Sequence, residues 1–162
     1  MAALLGMNAK LYRLTTGTRA TWGAADSNGI SIAAAPANLD EIVNVKDLSL
    51  SLNTDKADVT TRGNNGWKAT EPTLKDGTIN FQMVFDSSDA DFTALQRAFL
   101  TNAVIALAAL SAAKTTSGAQ GLWADFKVSQ FTKSENLTEA QMYDVELAPA
   151  YSAVAPEWVQ VT

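Results

Sequence analysis

The 162-residue sequence contains no cysteine and no histidine. Disulfides, thiol nucleophiles, imidazole general bases and the usual zinc ligand sets are thereby excluded, and with them most familiar enzyme chemistries. No run of about eighteen apolar residues occurs, so no membrane-spanning helix is expected. The longest apolar run, residues 103–110, is too short for that and reads as a buried strand. The opening MAALLGMNAKLYR lacks the basic start and long apolar core of a secretion signal, which points to synthesis in a cytoplasm. Positive charge is also scarce. The net charge is −5, and the excess lies entirely in the second half: residues 1–81 carry eight basic and eight acidic side chains, residues 82–162 four and nine. Tight binding to a phosphate backbone needs clustered cations, and this chain scatters the few it has.

The length fits one domain, residues 1–162, able to bury a substantial core. Its most informative stretch is residues 66–100. Ile79, Phe81, Met83 and Phe85 alternate with Thr78, Asn80, Gln82 and Val84, placing large apolar side chains on one face of a strand. The spacing then turns helical, with Phe92, Leu95 and Phe99 as the buried stripe of a short helix over about 88–101. Ser88 and Asp91 are spaced as a capping box, and Asn102 suits a left-handed helix end.

Residues 8–14 read as a first strand. Residues 15–40 are dominated by Thr, Ala, Gly, Ser and Asn, a composition that buries little, so a long surface loop is expected, with a hairpin turning at residues 26–29 as the alternative. Residues 42–52 alternate, with Leu48, Leu50 and Leu52 on one face and Ser49 and Ser51 on the other. The polar stretch 53–73 reads as a long hairpin arm tipped by Arg62, Gly63, Asn64, Asn65 and Gly66, with the indole of Trp67 beside the tip marking it as an inter-subunit contact. Further strands are expected at 104–110, 122–131 and 139–149, and the apolar end PEWVQV should be docked. Six to eight strands and one helix give a mainly β fold, an antiparallel sandwich or barrel with the helix over one edge.

Candidate chemistry is thin. Asp86, Asp89 and Asp91 form an acidic group, but the Asp-x-Asp-x-Asp-Gly calcium loop is missing and a helix start explains all three. Asp58, Glu71 and Glu139 are possible acid and base carboxylates that nothing in the sequence pairs. The sequon Asn136-Leu137-Thr138 is idle without secretion, and Lys10, Arg13 and Arg19 are a weak basic group. No metal, cofactor or catalytic residue is assigned. Trp22, Trp67 and Trp123 would form the platform of a ligand-binding sandwich module, which is the alternative to a structural role.

The order Gly66-Trp67, Ala69-Thr70, Leu74-Lys75-Asp76-Gly77, Phe81-Gln82-Met83 and Phe85 through Leu95 resembles the major tail tube proteins of long-tailed, non-contractile bacteriophages. Residues 8–12 and the VKDLSLSLN segment share the likeness, which omits residues 15–40. It implies a virion structural protein, not an enzyme, whose six-membered rings stack into a conduit around a tape-measure protein. Tail terminator and tip proteins would be further partners, and double-stranded DNA would pass through an acidic bore without specific binding. Tubes of contractile injection systems share this architecture and stay open as an alternative. For such a tube the polar faces of two strands are the candidates for the bore: Asp47, Ser49, Ser51, Asp76, Thr78, Asn80 and Gln82. Alternation alone equally allows those faces to look outward to water.

Overall fold

A computed structural model describes residues 6–162; residues 1–5, the first part of the stretch read above as lacking a secretion signal, lie outside it. The strands are β1 (Lys10–Leu14), β2 (Ile30–Ala33), β3 (Leu39–Glu41), β4 (Val45–Asp58), β5 (Thr70–Val84), β6 (Ile105–Leu110), β7 (Gln120–Ser134), β8 (Met142–Pro149) and β9 (Glu157–Val161). One α-helix, α1 (Ala90–Thr101), lies between β5 and β6. The strands join in one sheet of order β3-β1-β6-β7-β8-β5-β4, with β9 added to β7 and β2 to β9. All pairs are antiparallel except β2 with β9.

The sheet curls so that its ends share a core. Leu11 of β1 is buried with Ile79, Phe81 and Met83 of β5 and Val145 and Leu147 of β8, and Val45, Leu48 and Leu50 of β4 pack against the same cluster. The strand β7 is the hinge of this arrangement. Its first half pairs with β6 and β9, its second half with β8, and a bulge between Val128 and Gln130 bends it where it passes between the two halves. Both faces of its first half are covered: Leu122, Ala124 and Phe126 face the main core, while Trp123 faces a second one. That explains why neither face of this strand is polar in the sequence. Close pairing here requires Gly121, because a Cβ on it would sit 1.7 Å from the carbonyl oxygen of Ala109.

The second core corrects the expectation of a surface loop over residues 15–40. Trp22 and Leu39 are buried against Trp123, Tyr12, Val159 and Val161, and the two indoles meet edge to face at 5.7 Å. The hairpin alternative is the one observed, although short: Asp26 accepts hydrogen bonds from the amides of Asn28 and Ile30, and Ala25 bridges Ser31. Two large side chains and a run of alanines suffice because they cover a sheet that supplies its own aromatic. Buried Arg19 ties the segment down further, with Nε 3.0 Å from Asp125 Oδ2 and its other nitrogens on the carbonyls of Trp123, Val154 and Ala155.

The helix begins at a different cap from the one its spacing indicates. Asp89, not Ser88, accepts from the amide of Asp91, while Ser88 bonds to Asp86; Asp89 also accepts from Asn44 and so has two reasons to hold this position. Asn102 ends the helix at φ 52°, donating to the carbonyls of Ala98 and Phe99. Phe92 and Leu95 are buried, but the third buried helix residue is Ala98, and Phe99 is 38% exposed. The helix leans so that the smaller side chain meets the sheet, and Phe99 lies over Phe131, stacked at 5.9 Å. Phe92 is surrounded by Phe85, Phe131 and Tyr143 with centroids 4.8 to 5.8 Å away. Phe92→Ala should therefore cost about 3–5 kcal/mol, and Phe99→Ala distinctly less, because much of its ring already meets water. Thermal unfolding of the two variants checks this; equal losses would mean that Phe99 is buried in the free subunit.

Candidate functional site

Two surface features stand out: a polar sheet face and a projecting hairpin. The sheet face is built by the second half of β7 with β8, β5 and β4. Its rows follow from the register: Ser49 opposite Asn80 and Asn80 opposite Glu146, then Lys46 opposite Gln82 and Gln82 opposite Asp144. Ser51 lies opposite Thr78, and Asn53 opposite Asp76. The seven residues proposed for a bore wall thus occupy one surface. Asp47 reaches it by an irregularity, since its φ of 53° sits at the register shift between Lys46 and Ser49, and it lines a shallow groove with Asn80, Gln82, Gln130, Asp144 and Glu146. The acidic pair Asp144 and Glu146 was missed in the sequence reading, although each alternates with the inward Tyr143, Val145 and Leu147 in the expected way.

This polar four-stranded unit ends in two unpaired edges. Among the described residues β4 pairs only with β5, and beyond Phe126 the strand β7 pairs only with β8. Unprotected edges are a liability for a free monomer and an invitation to pairing with another chain.

The hairpin is longer than its residue count in the core demands. The strands β4 and β5 stay paired from Val45 with Met83 out to Asp58 with Thr70, with a bulge between Thr54 and Lys56. No residue from 51 to 76 is buried. At the tip, Arg62–Asn64 forms a single 3-10 turn closed by Asn65 at φ 50° and Gly66 at φ 83°. Thr61 Oγ1 donates to Asn64 Oδ1 at 2.9 Å, the amide of Trp67 donates to Asn64 at 3.0 Å, and the amide of Ala69 to Thr60 Oγ1 at 2.9 Å. The tip is thus held by its own bonds and presents Trp67 at 79% exposure. Leu52, whose alternation with Leu48 and Leu50 marks it as apolar, is 53% exposed where the arm leaves the body.

The alternative constellations are not assembled. Trp22 and Trp123 are buried in the second core and Trp67 is at the arm tip, so the three indoles form no ligand platform. Asp58 and Glu71 lie on the arm, whereas Glu139 lies in the loop before β8 at the other end of the strands. Asp86 binds Ser88, Asp89 caps the helix and Asp91 pairs with Arg13 at 2.6 Å. Lys10, Arg13 and Arg19 pair with Glu41, Asp91 and Asp125 respectively and build no basic patch. No helix among the described residues is long and apolar enough to cross a membrane.

No family model matches the sequence, and no curated protein matches it. Solved structures do match. A chain in the tail of an empty gene transfer agent particle, refined with C6 symmetry, superposes with a TM-score of 0.65 at 16% identity, covering 93% of this chain and 96% of that one. The SPP1 tail tube matches at a TM-score of 0.67 and 7% identity, over 99% of this chain and 81% of that one. This is the tail tube fold. A chain of the anti-feeding prophage baseplate, reconstructed with six-fold symmetry, shares it more loosely, at a TM-score of 0.53 and 8% identity over 95% and 92% of the two chains. The tail tube fold thus recurs at 7 to 16% sequence identity.

Proposed function

We propose that the chain is a single-domain structural subunit of a virion tail tube, forming rings that stack into a conduit for genome delivery. The observation that carries this reading is the polar four-stranded unit with two free edges. The unit has the order β7-β8-β5-β4 and every step is antiparallel, so β7 and β4 run in opposite directions. A copy rotated about an axis along the strands would bring its β4 beside the first copy's β7, again antiparallel. Such heterologous pairing closes into a ring when the rotation closes, and the C6 symmetry of the gene transfer agent tail supports six copies.

In that ring the polar face lines the bore. Asp47, Asp76, Asp144 and Glu146 outnumber Lys46 and Lys127 among the charged residues of this face, and Ser49, Ser51, Thr78, Asn80 and Gln82 supply neutral polar groups. A wall of that composition gives phosphate no counterion-release gain, so double-stranded DNA would pass without being retained. The tape-measure protein would fill the bore before DNA does, and terminator and tip proteins would close the two ends. The same subunit logic serves the tube of a contractile injection system, which is the second reading, and a chain of a six-fold baseplate has this fold at lower similarity.

The absence of cysteine makes the edge contact directly testable, because engineered thiols have no native competitors. Cysteines introduced singly at Ser49 or Ser51 on β4, each combined with one at Gln130 or Thr132 on β7, sit on the same face of opposite edges. Facing residues of an antiparallel pair come close enough for a disulfide. Oxidation should give a ladder of covalent oligomers ending at the ring on a non-reducing gel. If all four combinations stay monomeric in assembled material, the edges do not pair.

A further inference from the structure

Glycine follows asparagine twice in this chain, at Asn28-Gly29 and at Asn65-Gly66. The pairing matters chemically because a glycine amide, with no Cβ beside it, can approach the carboxamide carbon of the preceding side chain. Both pairs sit in turns with the glycine in the left-handed region, at φ 77° and φ 83°. Their surroundings differ.

At the first pair both reacting groups are occupied. The Gly29 amide donates to the Asp26 carbonyl at 3.1 Å, and Asn28 Nδ2 donates to Asp26 Oδ2 at 3.1 Å. The amides of Asn28 and Ile30 both donate to Asp26 Oδ1, so one aspartate locks the whole turn. At the second pair, neither the Asn65 carboxamide nor the Gly66 amide has a hydrogen-bond partner among the described residues. Asn65 is exposed, and open space lies where a Cβ on Gly66 would point. At φ 50° and ψ 39° the Gly66 nitrogen lies away from the Asn65 side chain, so the Cα–C bond of Asn65 must turn before the two can meet. That rotation breaks the bond from the Trp67 amide to the Asn64 carbonyl and disturbs no core contact, since nothing from residue 51 to 76 is buried. Such openings lie at the low end of the free energies for local unfolding.

We infer that Asn65 is a site of spontaneous deamidation, and that Asn28 is held against the same reaction. Once hydroxide has taken its proton, the Gly66 nitrogen attacks Asn65 Cγ; the new C–N bond closes a succinimide, and the side-chain nitrogen leaves as ammonia. Water then opens the ring at either carbonyl, giving aspartate or isoaspartate. In sum one water is consumed and one ammonia released, and no oxidant or metal takes part. A neutral amide is thereby replaced by a carboxylate between Arg62 and Lys68, the two cations of the tip. The isoaspartate route also adds a methylene to the main chain, which a turn closed from Asn64 to Trp67 does not accommodate in the same geometry. The reaction therefore alters how the tip presents Trp67 and leaves the core untouched. It stands independently of the tail tube reading.

The test is timed incubation of the purified full chain at neutral pH, followed by tryptic digestion and tandem mass spectrometry. Cleavage after Arg62 and Lys68 isolates residues 63–68, where fragmentation separates Asn65 from Asn64, and cleavage after Arg19 and Lys46 isolates Asn28. In the native chain Asn65 should convert about tenfold faster than Asn28 or more, because each hydrogen bond that must break at Asn28 contributes a factor of about two to ten. In concentrated urea the two rates should converge, since both sites are Asn-Gly and only the fold distinguishes them. An Asn65 that stays intact in the native chain, or equal native rates at the two sites, would overturn the inference.

Discussion

Arg19→Met should lower the melting temperature by roughly 10 °C. The guanidinium is buried and serves Asp125, Trp123, Val154 and Ala155 together, while Ser152 donates to the same Asp125 oxygen at 2.5 Å. Removing one partner of a buried ion pair leaves the other charge uncompensated, at a cost of about 3–5 kcal/mol. For a chain of this length each kcal/mol shifts the midpoint by about 2–4 °C. The double variant Arg19→Met with Asp125→Leu should recover much of the loss, because it removes the stranded charge. A melting curve for Arg19→Met that overlays the wild type would show that the segment is held by Trp22 and Leu39 alone.

Replacing residues 54–75 by Asn-Gly should abolish tubes and leave a folded subunit. Asn53 pairs with Asp76, so a two-residue turn at that point continues an antiparallel hairpin in register. Nothing in the removed segment is buried, so the thermal midpoint should stay within a few degrees of the wild type, a range of about 1 kcal/mol. Assembly should be lost completely, because the segment contains the tip and the paired extension that presents it. Tubes of normal length from this variant would reduce the arm to an ornament of the surface.

The parts of this fold that could be read from the sequence are those where one face meets the core and the other meets water. The strand from Thr78 to Val84, the helix with Phe92 and Leu95, and the arm with its Asn-Asn-Gly tip all carry their pattern locally. The parts that could not be read depend on partners far along the chain. Trp22 looks solitary in its segment because Trp123, 101 positions later, completes its environment. Arg19 looks like a surface cation because Asp125 is equally remote. Phe99 and Ala98 are adjacent on the helix, and only the tilt against Phe131 decides which is buried. For the polar face, alternation gives the sidedness of Ser49, Asn80 and Gln82, and only the strand order shows that Asp144 and Glu146 belong beside them.

The most direct measurement is cryo-electron microscopy of the purified chain at high concentration. Hollow tubes of stacked rings are expected, with β7, β8, β5 and β4 forming the inner wall, Asn80, Gln82, Asp144 and Glu146 facing the bore, and each arm in contact with a neighbouring subunit. Monodisperse monomers at every concentration, or tubes in which that polar face looks outward to solvent, would contradict it.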